Sequence, residues 1–468
     1  MEVRNAAGAV ISPSASLVVI GAPTITLHPV GSRVDEGGSA TLSVVAAGAN
    51  LRYQWLLDNV AIAGATGPSY TTPALAAADS GKVYSVIVYN GAGLLFSQPA
   101  TLTVTPTPAP SPEDKIAAGL NHTCAIDRSD TLYCWGNGVN GELGNGSTSF
   151  RDVPTRVSGL GAVKAVAAGS WATCAIDSAD ALWCWGSMGD LVPAQLSAAG
   201  VRVRAVGLGS DHGCYVDAAG QVYCWGNTSF GKRGDLNPGD TPNPVRRADD
   251  SLLRDAVAVA IGVNHSCAQL ADGSVWCWGA DVAFGIHDKA TRVMRRLPDG
   301  SRMDFTATGR VVAGRYHSCA LESSTGQPMC WGHNEQGQLG DGSTISRDDA
   351  MPADLFGGLS LAAGVTHTCA IRTSDMYCWG YGFMGNGAER ETLLAPVAAG
   401  RVGAYFNSAD PPLAAAAGER HTCALRTSGD VQCWGWNNAG QAGNGSFSDT
   451  VNVLVPTSTT LGAQFWRR

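Results

Sequence analysis

The sequence predicts an all-β protein of two modules, and three observations carry that prediction. A unit of about 50 residues recurs seven times. Ahead of it, short apolar strands follow one another at regular spacing without a cysteine. Glycine supplies 59 of 468 residues with no collagen-like period, which points to many tight turns. The length suits two to four domains and a sizeable core. No run of eighteen apolar residues occurs, so no membrane-inserted helix is expected. A net charge of −8 argues against a phosphate-backbone binder, so no nucleic-acid partner is expected. Five Lys against 26 Arg in an Ala-rich chain point to a high-GC bacterial source.

In chain order, residues 21–105 contain one Trp and no Cys. Their strands read Thr24-Ile-Thr-Leu, Ser39-Ala-Thr-Leu-Ser-Val, Leu51-Arg-Tyr-Gln-Trp-Leu-Leu, Val83-Tyr-Ser-Val-Ile-Val and Ala100-Thr-Leu-Thr-Val. The stretch resembles an immunoglobulin-like β-sandwich. Trp55 takes the core position of the third strand, and Asp79-Ser-Gly-Lys-Val-Tyr84 matches the turn and tyrosine corner that follow. Apolar residues, Val44 or a neighbour and Val86, stand where that family carries its inter-sheet cysteines, and the resemblance implies a spacer. Residues 1–20 repeat the end of this module at an offset of 85, with seven of seventeen aligned residues identical. They read as the C-terminal hairpin of a preceding, truncated sandwich, and the chain as the C-terminal piece of a longer surface protein. Met1-Glu-Val-Arg does not open a secretory leader. Residues 106–114 form a linker. Thr105-Pro-Thr-Pro-Ala-Pro-Ser-Pro, with four prolines in eight residues, reads as a stiff extended spacer.

Residues 115–468 hold the repeats. The cysteines fall in seven pairs: Cys124 with Cys134, Cys174 with Cys184, Cys214 with Cys224, Cys267 with Cys277, Cys319 with Cys330, Cys369 with Cys378 and Cys423 with Cys433. Trp-Gly follows every second cysteine, and a glycine stands five residues before every first one. A histidine precedes the first cysteine by two residues in six units: His122, His212, His265, His317, His367 and His421. The second unit has Ala172 there. Thr123-Cys-Ala-Ile-Asp and Leu132-Tyr-Cys-Trp-Gly flank the turn Arg128-Ser-Asp, a hairpin pattern. Gly-rich turns such as Gly141-Glu-Leu-Gly-Asn-Gly and two further apolar stretches complete the unit. Four short strands, seven times over, predict a seven-bladed β-propeller, because one small sheet cannot bury its own faces.

The unit Gly-x-x-His-[Ser/Thr]-Cys-Ala-[Ile/Leu]…Cys-Trp-Gly…Gly-x-Leu-Gly-[Asn/Asp]-Gly resembles the regulator-of-chromosome-condensation repeat. That family folds as a seven-bladed propeller. It includes an exchange factor for a small GTPase, an ultraviolet receptor, ubiquitin-ligase modules and a secreted β-lactamase inhibitor. Across a hairpin, residues about ten positions apart can lie opposite one another within disulfide reach, so one staple per blade is expected. Seven staples imply an oxidising location: secreted, periplasmic or cell-surface. Reduced thiols packed as small apolar residues are the alternative. Zinc is disfavoured, since no Cys-x-x-Cys occurs.

No catalytic motif, cofactor motif or metal-binding pattern is found, and a non-enzyme is expected. The six histidines, one per blade, are expected to form a ring bonded to backbone. Binding should lie in loops that vary against the fixed frame. The residues after the fixed Gly and after Trp-Gly include Trp171, Arg315, Tyr316, Tyr381, Arg420 and Trp436, types enriched at protein-binding hot spots. These six form the expected contact ring. The insertions 227–250 and 281–310 lie beside it, and the arginines of the second (Arg292, Arg295, Arg296, Arg302, Arg310) read as a solvated charge run. The expectation is a monomeric, exported adhesion or binding module for a protein or glycan partner. The alternatives are a secreted inhibitor of β-lactamase-inhibitor type and, by family analogy, a guanine-nucleotide exchange factor.

Overall fold

A computed structural model describes residues 2–5, 7–11, 19–105, 111–187, 190–235, 241–281, 285–399, 406, 408–447 and 452–461. The chain divides into two compact units, Met1–Ala109 and Pro110–Arg468. Among the described residues there is no α-helix, only strands and three short 3-10 turns. The proline-rich segment 106–110 lies outside the described residues. Pro112–Lys115 is a 3-10 turn of the second unit, where Asp114 pairs with Arg310 and Lys115 with Asp130.

In the first unit the strand Arg52–Leu57 pairs antiparallel with Val83–Asn90, setting Trp55 opposite Val86. Alternate residues of the second strand face inward, so Tyr84, Val86 and Val88 are buried with Trp55, Leu42, Val44 and Leu102. Trp55 offsets the cost of its buried indole N–H by donating to the Gly67 carbonyl at 3.0 Å. The repeat at offset 85 is structural as well as sequential. Glu2–Asn5 pairs Gly8–Ile11 in the same register as Val83–Asn90 pairs Gly93–Phe96. Asn5 Oδ1 and Asn90 Oδ1 each accept the N–H two residues on, at 2.9 Å.

The second unit is seven sheets in sequence order, antiparallel except for one parallel pairing at the outer edge of blade 5. Blade 1 runs Ile116–Ala118, His122–Ile126, Leu132–Gly136 and Arg151–Arg156 from inside to outside. The innermost strands of blades 2–7 are Val163–Ala168, Val203–Leu208, Ala256–Ile261, Ala307–Ala313, Ser360–Ala363 and Pro412–Ala417. Blade 5 has six strands, because the hairpin of Met294–Arg296 and Arg302–Asp304 joins its outer edge.

Every cysteine pairing expected from the repeat is present. Cys124 is disulfide-bonded to Cys134, Cys174 to Cys184, Cys214 to Cys224 and Cys267 to Cys277. In the last three blades Cys319 is bonded to Cys330, Cys369 to Cys378 and Cys423 to Cys433. The two members are direct cross-strand partners in each blade, with Cα atoms 4.1 Å apart. That spacing fits a pair without backbone bonds between its members, where strands approach most closely. The separation is 11 residues in blade 5 and 9 in blade 6, and the turn absorbs the difference without moving the pair out of register.

The glycine five residues before each first cysteine explains how the blades meet. A Cβ on Gly119, Gly169, Gly209, Gly262, Gly314, Gly364 or Gly418 would lie 2.3–2.7 Å from the carbonyl oxygen of the next glycine, and Gly418 closes the circle on Gly119. No larger residue fits that ring. The four described strands of blade 1 and of blade 7 are each consecutive in sequence, so among the described residues no shared strand closes the propeller. The seam is held by side-chain and backbone bonds: Trp135 Nε1 donates to the Gln441 carbonyl at 2.9 Å, His421 bonds Thr123 at 2.9 Å, and the Gly445 N–H donates to the Asp152 carbonyl at 2.9 Å. The tryptophan after each second cysteine packs into the preceding blade, as Trp185 does in one cluster with Leu132, Cys134 and Leu143. The hydrophobic core is thus a circle of seams.

Candidate binding surface

The repeated histidines are a structural ring. Each Nε2 reaches a hydroxyl of the next blade rather than the expected backbone of its own: His122 to Thr173, His212 to Ser266, His265 to Ser318, His317 to Thr368, His367 to Thr422 and His421 to Thr123, at 2.8–2.9 Å. Thr173 and Thr368 also donate to the Glu142 and Gln338 carbonyls. A hydroxyl has one proton, so there the imidazole must be the donor, neutral and protonated on Nε2. Burial pushes the imidazole pKa values down, to about 4 for His122, His265 and His367 and about 3 for His317 and His421. Among the described residues no group of three His, Cys, Asp or Glu converges as metal ligands would.

The loops just after the glycine ring surround the propeller axis and leave a mouth of about 440 Å³. Every blade contributes its ring glycine and the next residue: Leu120, Ser170, Ser210, Val263, Arg315, Val365 and Glu419. A second circle lies outside this one, because in each blade the residue after Trp-Gly donates its N–H to the carbonyl just before the histidine position. Examples are Ser187 to Trp171, His333 to Tyr316, Tyr381 to Thr366 and Trp436 to Arg420, at 2.8–2.9 Å. The fixed backbone therefore presents variable side chains on one face.

Trp171 and Arg315 line the mouth, and Trp171 is 43% exposed. Tyr316, Tyr381, Arg420 and Trp436 are half-buried on the outer circle. Blades 5, 6 and 7 each stack an arginine on a ring: Arg315 over Tyr316 at 5.1 Å, Arg390 over Tyr381 at 5.0 Å and Arg420 over Trp436 at 4.2 Å. Arg390 carries no signal in the repeat pattern, since it sits just past the Gly385-Asn-Gly turn, outside the motif. Asp211, at the mouth in blade 3, is held well below the usual carboxylate range by His212 and by Lys232 Nζ at 2.6 Å. The arginine run of blades 4 and 5, expected as a solvated series, keeps Arg296 and Arg302 exposed but is ion-paired throughout. Arg292 meets Asp304, Arg295 meets Glu322, Arg296 and Arg302 share Asp349, and Arg310 meets Asp114. The pairs of Arg295, Arg296 and Arg302 hold the added hairpin on blade 5, and that of Arg292 joins it to blade 4.

A closed ring of seven four-stranded sheets, with one repeated frame and one variable face, defines a repeat propeller. The repeat is that of the regulator of chromosome condensation (RCC1). It matches at residues 129–176, and in a second form at 114–142, 163–190, 203–232, 256–283, 310–338 and 414–441. The chain is 28% identical to the ultraviolet-B receptor UVR8 of Arabidopsis thaliana, over 72% of this chain and 68% of that protein. It is 29% identical to the secretion-regulating guanine nucleotide exchange factor of Mus musculus, over 49% of this chain and 54% of that relative. Among solved structures it is similar to human WBSCR16, with a TM-score of 0.62 and 20% identity over 71% of this chain and 94% of that one. It is also similar to Prp20p of Saccharomyces cerevisiae, a structure described with its binding to Gsp1p and histones. There the TM-score is 0.55 and the identity 21%, over 72% of this chain and 87% of that one. The relatives are named as a receptor and an exchange factor, and the chain shares the propeller fold and its repeat with them.

Proposed function

We propose that this chain is a non-catalytic binding module that works outside the reducing cytoplasm of a bacterium, with the loop face of the propeller as its binding surface. One observation carries the reading. Three adjacent blades present stacked Arg–aromatic pairs beside an open axial mouth that also exposes Trp171. Tyr, Trp and Arg held rigid on a fixed frame lose little side-chain entropy on binding, which is what a protein hot spot requires. The seven buried disulfides support an exported, secreted or cell-surface location. They weigh against cytosolic nucleotide exchange, although a relative bears that name. We assign the first unit the role of an immunoglobulin-like spacer, supported by the buried Trp55, Tyr84, Val44 and Val86.

The test is saturable binding of a partner recovered from the protein's own extracellular surroundings, measured for wild type, Trp171→Ala and Tyr316→Ala. Loss of roughly tenfold or more in affinity with the fold intact supports the face, since truncating a hot-spot side chain costs more than about 1 kcal/mol. Unchanged affinity in both variants overturns it. A glycan instead of a protein in the eluate corrects the partner class. Inhibition by the purified chain in a panel of secreted hydrolases identifies the inhibitor form of the same reading.

A further inference from the structure

Five of the seven seams are filled by a Gly-x-x-Gly turn of the earlier blade: Gly141–Gly144, Gly231–Gly234, Gly337–Gly340, Gly382–Gly385 and Gly440–Gly443. The third residue of each is buried: Leu143, Arg233, Leu339, Met384 and Ala442. In three seams the carbonyl of the second residue takes the next blade's indole N–H: Glu142 from Trp185, Gln338 from Trp379 and Gln441 from Trp135. The adjoining Thr173, Thr368 and Thr123 hydroxyls meet the same carbonyls. At Gly231–Gly234 the Lys232 carbonyl takes only the Ser266 hydroxyl, and at Gly382–Gly385 Met384 fills the space without either bond.

Among the described residues blades 2 and 4 show no such wedge, and the two seams respond differently. Between blades 2 and 3 the polar groups that would need it are largely gone, since Ala172 replaces the histidine and Gly213 the hydroxyl. The Trp225 ring packs over Gly213, where a Cβ would lie 2.5 Å from it. Between blades 4 and 5 those groups remain. Strand Val275–Asp281 pairs antiparallel with Gly285–Arg292, Ala280 opposite Ile286, and residues 282–284 between them lie outside the described residues. A cavity of about 300 Å³ is left where the wedge would stand, lined by His265, Trp278, His287, Arg292, Arg302 and Trp331. Ser318 and Trp331 are cross-strand partners, 0% and 1% exposed.

His265 Nε2 and Ser318 Oγ lie 2.8 Å apart. If the imidazole donates, the hydroxyl proton finds only the disulfide sulfur of Cys267 at 3.7 Å, a poor acceptor. If the hydroxyl donates, the proton moves to His265 Nδ1, which is buried without a partner. The Trp331 indole N–H has no acceptor among the described residues either. One buried donor of the Ser318–His265 pair is therefore poorly met in either tautomer, at a cost of about 1–3 kcal/mol, and the Trp331 indole N–H faces the cavity.

We propose that the blade 4/5 seam is a binding site for a glycine-flanked leucine turn of a partner protein. The leucine fills the cavity, and the preceding carbonyl accepts from Trp331 Nε1 and from the Ser318–His265 pair. The occupant is specified by the chain itself, which seats that turn in its equivalent seams. The probe is the blocked hexapeptide Gly-Gln-Leu-Gly-Asp-Gly, the sequence of residues 337–342, titrated into the full chain labelled with ¹⁵N at its indoles. The Trp331 indole signal, assigned by its loss in Trp331→Phe, shifts saturably while those of Trp185 and Trp379 stay fixed. Trp331→Phe weakens binding roughly tenfold, the equivalent of about 1.4 kcal/mol for one hydrogen bond to a buried carbonyl. A peptide with glycine in place of leucine leaves the spectrum unchanged. If Trp331→Phe does not fold, Ser318→Ala serves for both the assignment and the affinity comparison. A Trp331 signal unmoved up to the peptide's solubility limit overturns the proposal, and so does an equal shift of Trp185 and Trp379.

Discussion

Trp379 and Trp331 hold equivalent positions in successive blades, yet only Trp379 has an acceptor, the Gln338 carbonyl at 2.8 Å. Trp379→Phe should therefore cost about 1 kcal/mol or more, while Trp331→Phe in the free protein should be neutral or slightly stabilising. Denaturant midpoints of the two variants decide this. The histidines make a second prediction. An unfolded imidazole titrates near 6.5, whereas the buried ring holds pKa values of about 3–4. Below pH 6.5 the unfolded chain takes up protons that the folded one refuses, so stability falls from there down to about pH 4 and is insensitive to these groups above pH 7. Thermal midpoints between pH 7.5 and 4.5 should drop steeply over that window, and a flat profile contradicts the neutral ring. The histidine period is legible in the sequence, but its partners are not. Each hydroxyl lies 51 residues or more away along the chain, in a blade whose position only the closed ring fixes.

Elements within one blade are the most readable part of the molecule. Cysteines ten residues apart, with a polar turn between, describe a hairpin locally, and the register Cys174↔Cys184 follows from the turn alone. Removing that staple by Cys174→Ala together with Cys184→Ala should cost about 2–3 kcal/mol by the loop-entropy argument. Denaturant midpoints of the double variant measure that loss. What holds between elements is less legible. The ring glycines are visible as invariant positions of the repeat, but their reason, the carbonyl of the next blade, is not. Gly314→Ala should fail to fold or lose several kcal/mol, because a Cβ there meets both the Gly364 carbonyl and the His317 ring at 2.3 Å. Gly161→Ala, which meets nothing within 4 Å, is the neutral control, and soluble yield with thermal midpoints compares the two. The ion pairing of the arginine run is not legible for the same reason: its carboxylates Glu322 and Asp349 belong to blade 5, distant in sequence.

At the scale of the whole molecule, seven repeats and seven cysteine pairs are enough to read a propeller. Which side chains meet on its face is not readable, because Arg390 reaches Tyr381 from a loop outside the motif. The proposed function is that of a stapled propeller that works outside the cytoplasm and binds on its variable face. Among the described residues there is no free cysteine. The most direct test is the intact mass of the chain taken from its native source, with thiols alkylated at lysis, followed by non-reducing peptide mapping. The expected result is no alkylated cysteine and seven linked peptide pairs, each within one blade. Fourteen alkylated cysteines in native, folded material would contradict it.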